Sequence, residues 1–165
     1  MQGDVRDIVI SMLIALLPVS EIRGALPYIF ITTSDSHYLV LGVVLSVLSN
    51  MAVPFIAFKA LDIIDMLVRH RRTSIFVKSI YYKILEIGNR KAVKLRKESY
   101  IALALFVGIP LPATGAWTGT LVAYILGLDR KKSIMAIEIG VLMASSIVLI
   151  ATLLGATILK TIFMF

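Results

Sequence analysis

The chain has no cysteine, so disulfides and thiolate metal sites are both excluded, and its two histidines stand apart rather than in a ligand cluster. Charged residues are scarce at 16%, and acidic ones number only ten. No Ser/His dyad, acidic metal cluster or HExxH-like helix can be assembled from what remains, which leaves little to hold a nucleophile or a catalytic ion. The reading is therefore of a protein that is not an enzyme and needs no cofactor. What the chain has in excess is apolar side chain: 59% of its 165 residues, with a mean hydropathy of +0.93. That composition belongs to an integral membrane protein. Residues 8–17 have the length of a signal-peptide core, but Asp4 and Asp7 beside Arg6, with no A-x-A-like site after them, argue against a cleaved leader.

The net charge of +7 is local. Ten Lys/Arg and two Glu between Arg69 and Glu98 give that segment +8, so the rest of the chain sums to −1. A single basic loop is a topology signal before it is anything else, and nucleic acid is not an expected partner. From Ser74 to Lys97, Phe76, Ile80, Ile84 and Ile87 recur at helical spacing opposite a stripe of Lys78, Glu86, Arg90, Lys94 and Lys97. This pattern predicts an amphipathic helix on the membrane surface, with anionic lipid headgroups as partners along 69–97.

Four apolar stretches follow the order broken, whole, broken, whole. Residues 8–31 are interrupted at PVSEIRGALP (18–27), 38–61 are nearly continuous, 100–128 are interrupted at PLPATGAWTG (110–119), and 134–159 are nearly continuous. A crossing needs about 20 apolar residues, and only the unbroken stretches supply them. The ten residues before Pro18 make about 15 Å of helix, enough to reach the bilayer midplane. There Pro18 stops the helix, Gly24 is expected to permit a bend and Pro27 to break the pattern again; Pro110, Pro112, Gly115 and Gly119 repeat the arrangement. If both broken stretches turned back, the basic loop 62–98 and the basic connector 129–133 would share one face, the cytoplasmic one. The expected fold is thus an all-α integral membrane protein of two inverted repeats, 8–61 and 99–160. Each is a re-entrant helical hairpin followed by a transmembrane helix, and the cytoplasmic amphipathic segment 62–98 lies between them.

PVSEIRGALP followed by PLPATGAWTG resembles the paired motifs of the small multidrug export proteins, ELRGAxP-like and PxPGTGAWTG-like. Here Ile22 stands for the usual Leu, and Ala113 where Gly is commoner. The resemblance covers nearly the whole chain and implies a small membrane protein of the export type. The element pattern is also similar to DedA-like proteins, for which lipid-phosphate transport and dependence on the proton-motive force have been proposed; that similarity is an analogy of architecture.

A charged group at mid-bilayer costs about 2.5–3.5 kcal/mol on insertion scales, so Glu21 and Arg23 must face protein or water. They are either a structural pair holding the tip or a working site, with Glu21 protonatable and Arg23 a fork for phosphate or carboxylate. From the opposite tip Thr114, Thr118 and Thr120 offer hydroxyls, and Gly115 and Gly119 allow backbone N–H groups to approach a ligand. The helix beginning near Gly115, like the one beginning at Gly24, carries partial positive charge at its N-terminus. Trp117 reads better as packing between hairpins. Glu138 and Asn50 are candidates for a proton path, although Asn50, four before Pro54, is expected chiefly to shape its helix. Lys59 is expected to snorkel, and Gly140, Ala144, Ser145 and Gly155 suit close helix packing. The leading function is a proton-coupled transporter or lipid flippase for an anionic small molecule or lipid. A non-transporting scaffold and an intramembrane lipid-phosphate enzyme are the alternatives. A homodimer in the cell membrane is the expected assembly, because one chain offers little surface to enclose a pathway.

Overall fold

The computed structural model describes residues 2–69, 83 and 98–163, and among these the only regular elements are six helices. They are α1 (Gln2–Leu16), α2 (Glu21–Thr32), α3 (Ser36–Arg69), α4 (Glu98–Gly108), α5 (Ala116–Ile125) and α6 (Arg130–Phe163). The amphipathic segment expected at 74–97 lies outside the described residues.

Among the described residues two helices are long and apolar enough to cross a membrane: α3, and α6 from Arg130 to Gly155. Both carry large apolar side chains on their outer surfaces, among them Leu48, Phe55, Ile139 and Ile150, each about half exposed. In water such a surface would drive aggregation; in a bilayer it is the solvent-facing side. The short helices pair instead. The Tyr28 hydroxyl, near the end of α2, donates to the Asp7 carboxylate near the start of α1 (3.2 Å). The Asp129 N–H, just past α5, donates to the Tyr100 hydroxyl near the start of α4 (3.0 Å). Each pair therefore begins and ends at one level, as a hairpin does and a kinked rod does not.

Pairings along the helices fix how far each hairpin reaches. Ser46 Oγ donates to Ser11 Oγ (3.0 Å) and Asn50 Nδ2 to the Ala15 carbonyl (2.7 Å), so α1 runs parallel to α3 and ends beside its middle. In the other half, Gly140 sits against the Ala104 carbonyl and Val107, and Gly108 against Met143, so α4 runs parallel to α6 and also ends beside its middle. The second arm of each hairpin packs on the long helix of the other half as well as its own, α2 on α6 and α5 on α3. Two apolar clusters result. Val53 and Phe58 of α3 pack with Leu103, Val107, Ala116, Ala123 and Ile137, and Ile22 and Leu26 pack with Ala144 and Val148.

The long helices are antiparallel, because Asp62 late in α3 pairs with Arg130 at the start of α6 (2.9 Å), whose guanidinium also lies over the Phe58 ring (4.8 Å). The flanks of the basic loop, Arg69 and Glu98, thus share one end of the bundle with the 129–133 connector.

The breaks are tighter than the sequence suggested. Only residues 17–20 and 109–115 interrupt the helices, and α2 runs straight through Gly24 and Pro27. Pro27 still removes the N–H that the Arg23 carbonyl would accept. The sharp turn falls on Glu21 instead, which takes a left-handed φ of 46°. At the other tip Ala113 does the same at 64°, which gives a physical reason for glycine at that motif position: a Cβ in this region costs about 1–2 kcal/mol.

Candidate functional site at the hairpin tips

The two tips meet each other, and Glu21 makes the junction. Its side chain is almost fully buried, 3% exposed. One carboxylate oxygen accepts the Ala116 N–H (3.2 Å) and the other the Trp117 N–H (3.2 Å), the first two amides of α5. Those amides have no partner inside their own helix, and they carry the positive end of its dipole. Gly115, the N-cap, has no side chain to offer. Its bare Cα is required here, because any Cβ would fall inside the Glu21 carboxylate. The left-handed backbone of Glu21 aims the carboxylate at this spot, a strained conformation of the kind that accumulates where a side chain must be positioned.

Arg23, two residues on, keeps its guanidinium 3.8 Å from Glu21 and donates to the Leu111 carbonyl in the opposing tip. Trp117 returns the favour in the other direction, its indole N–H donating to the Leu16 carbonyl (2.9 Å) at the end of α1. Asn50 caps the neighbouring Ala15 carbonyl from α3. Orphan groups at the end of α1 and the start of α5 are thus satisfied across the interface rather than by local caps. Around this polar junction the exposed tip residues are apolar: Leu17, Val19, Ile109 and Leu111 are each about half exposed or more, Val19 at 95%.

The remaining sequence candidates divide. Glu21, Arg23, Gly115 and Trp117 come together, and Asn50 stands beside them. Thr114 turns its hydroxyl inward on its own tip, accepting the Leu111 N–H (3.2 Å) and lying 2.7 Å from the Ile109 and Leu111 carbonyls. Thr120 is buried and bonded to the Ala116 carbonyl within α5. Gly119 gives its N–H to Gly115 and its Cα face to Val107, so it serves helix packing; Gly24 likewise sits close to Ser20 and Ile14. Thr118 is half-buried on α5, one residue past Trp117. Glu138 is half-buried on α6, well before the Ala144–Val148 stretch that packs on α2, and the structure does not bring it to the tips. Among the described residues no His, Asp and Glu gather in a group able to hold a metal.

Four participants escaped the sequence reading, the Ala116 amide and the Ala15, Leu16 and Leu111 carbonyls. All are backbone groups, and backbone has no letter of its own; only the helix start after Gly115 could have pointed to the first.

Neither the curated proteins nor the solved structures give a match to the chain. The family model described as "Putative small multi-drug export protein" matches residues 21–147, from the tip glutamate into the middle of α6, and the chain belongs to that family.

Proposed function

We propose that the protein is a proton-coupled membrane transporter or lipid flippase whose site, for a phosphate or carboxylate group, lies where the two tips meet. The observation that carries this reading is the Glu21 carboxylate on the Ala116 and Trp117 amides, between two helices that each stop halfway along a membrane-length neighbour. It supports two re-entrant hairpins in inverted repeats, with tips at mid-bilayer and the basic segments 62–98 and 129–133 on the cytoplasmic side of the cell membrane. The exchange of partners between halves, α2 on α6 and α5 on α3, is what such a repeat produces. The DedA-like analogy and a homodimer belong to the same reading, as does anionic lipid along 69–97.

The chemistry follows from competition for one set of donors. An ionised Glu21 fills the amides at the start of α5, so an incoming anion has no place there. A proton taken up by Glu21 cancels its charge and weakens its hold, leaving the amides and Arg23 free for the substrate's anionic group. Proton and anion then bind the same state of the protein. A site of this kind moves one proton with each anion, and with a monoanion it is nearly blind to membrane potential.

The test is flux of a labelled lipid phosphate and of small organic anions in proteoliposomes, with and without a pH gradient. Acidifying the loading side is expected to accelerate uptake. Glu21→Gln, a permanent mimic of the protonated acid, is expected to retain flux and lose its dependence on the gradient. A well-folded Glu21→Gln protein with wild-type gradient dependence overturns the proposal. If the variant only lowers stability and no anion moves in either protein, Glu21 is a structural cap and the scaffold reading stands.

A further inference from the structure

A groove of about 560 Å³ runs along the outside of the bundle between α2 and the second half of α6, and Arg23 and Pro110 of the two tips line its inner end. Its walls are Pro27, Phe30 and Ile31 on one side and Ile147 and Ala151 on the other. Thr152 is there too, but its hydroxyl donates to the Val148 carbonyl of its own helix (2.8 Å). The groove is thus apolar with one cation at its inner end, and it runs from the tips toward the end of the bundle away from the basic segments.

We infer that this groove binds an amphipathic anion, a single hydrocarbon tail ending in a carboxylate or phosphate, with the headgroup on Arg23 and the tail along α2 and α6. The inference rests on the reading of the tips as an anion site, and it narrows the substrate class from any anion to one with a tail. Three features support it. A guanidinium has five N–H donors, and among the described residues that of Arg23 makes one hydrogen bond, to Leu111, with Glu21 beyond bonding distance at 3.8 Å. Its side chain is 21% exposed and lines the groove. An ordinary bilayer lipid in the groove would keep its headgroup at the surface and press methyl groups on those donors, whereas an anion carried to half depth completes them. A small hydrophilic anion would meet the same donors but gain nothing from the walls. The volume lies within the range of sites that hold a small organic ligand, and Ile147 to Gly155 offers about 12 Å of helix for the tail to lie along.

The test uses the full chain in nanodiscs of zwitterionic lipid and exploits its single tryptophan, Trp117, at the tip. Dansylated undecanoate should quench Trp117 by saturable energy transfer. The same dye and tail ending in trimethylammonium should give none that saturates, and inorganic phosphate should not displace the bound acid. Arg23→Gln should weaken binding about tenfold, as loss of one charge-assisted contact implies. Ala151→Phe, which fills the groove without touching the tips, should block binding while the thermal unfolding temperature stays near that of the parent. Equal saturable binding of the cation, displacement by phosphate, or unaltered binding in folded Ala151→Phe would overturn the inference. If the acid fails to bind while Glu21-dependent anion flux persists, the groove falls and the tip site stands; wild-type gradient dependence in Glu21→Gln removes the tip site itself.

Discussion

The two hairpins have the same shape and opposite chemistry. The α1–α2 hairpin is tied to its long helix by side-chain hydrogen bonds, Ser46 to Ser11 and Asn50 to Ala15, besides the close seat that Gly42 gives Ile29 and Ile8, and it brings charge to its tip. The α4–α5 hairpin is tied by the absence of side chains, with Gly140 against the Ala104 carbonyl, Gly108 against Met143 and Gly119 against Val107, and it brings bare backbone to its tip. In lipid both devices serve, since packing and interhelical hydrogen bonds replace the hydrophobic force between helices. The difference teaches why the halves can close on each other. A carboxylate needs donors, and an unadorned helix start supplies them.

Substitutions that exchange these characters should do the most damage. Gly115→Val places a branched side chain where the Glu21 carboxylate lies, so the tips cannot close; a loss beyond about 3 kcal/mol is expected, the upper range of overpacking. Thermal unfolding in detergent would read this as a collapse of the transition or a failure to express. Glu21→Gln keeps one acceptor and offers an N–H₂ group to a helix start that needs none. A loss of about 1.5–3 kcal/mol is expected, the scale of a hydrogen bond to a charged group, and chemical denaturation of the reconstituted protein would measure it. A value near zero would mean that the two amides find water instead.

Asn50→Leu removes a polar tie from the first hairpin and tests whether it resembles the second in tolerating apolar contact alone. About 0.6 kcal/mol is expected, the mean for interhelical bonds in membranes. The smallest effect has the opposite sign. Ala113→Gly relieves the left-handed φ of 64° and should stabilise by a few tenths to about 1 kcal/mol. A melting temperature that falls would show that Ala113 is not strained.

Much of this arrangement was legible in the sequence, and the boundary between what was and was not has a physical basis. Hydropathy and the two proline-bearing motifs locate both long helices and both turns, because length, apolar content and proline geometry are local properties. Gly24 and Pro27 misled because an isolated glycine or proline can be carried inside a helix that tertiary packing supports. Ala25, Leu26 and Ile29 of α2 are all fully buried. The pairing of Glu21 with α5 joins residues 95 and 96 positions apart, and nothing in either motif alone specifies its partner. Gly115 was singled out as room for a ligand; the room is there, and the protein's own carboxylate occupies it.

Depth measurement at the tip tests the central claim most directly. The chain has no cysteine, so Val19→Cys, at an exposed apolar position on the first tip, can carry a single nitroxide in liposomes. Collision with oxygen should be high and collision with a water-soluble nickel chelate low, at a depth near the bilayer centre, while a nitroxide at Ser34 in the α2–α3 loop reports the surface. A nitroxide at residue 19 as open to nickel as the one at residue 34 would place the tip in water and contradict a site within the membrane.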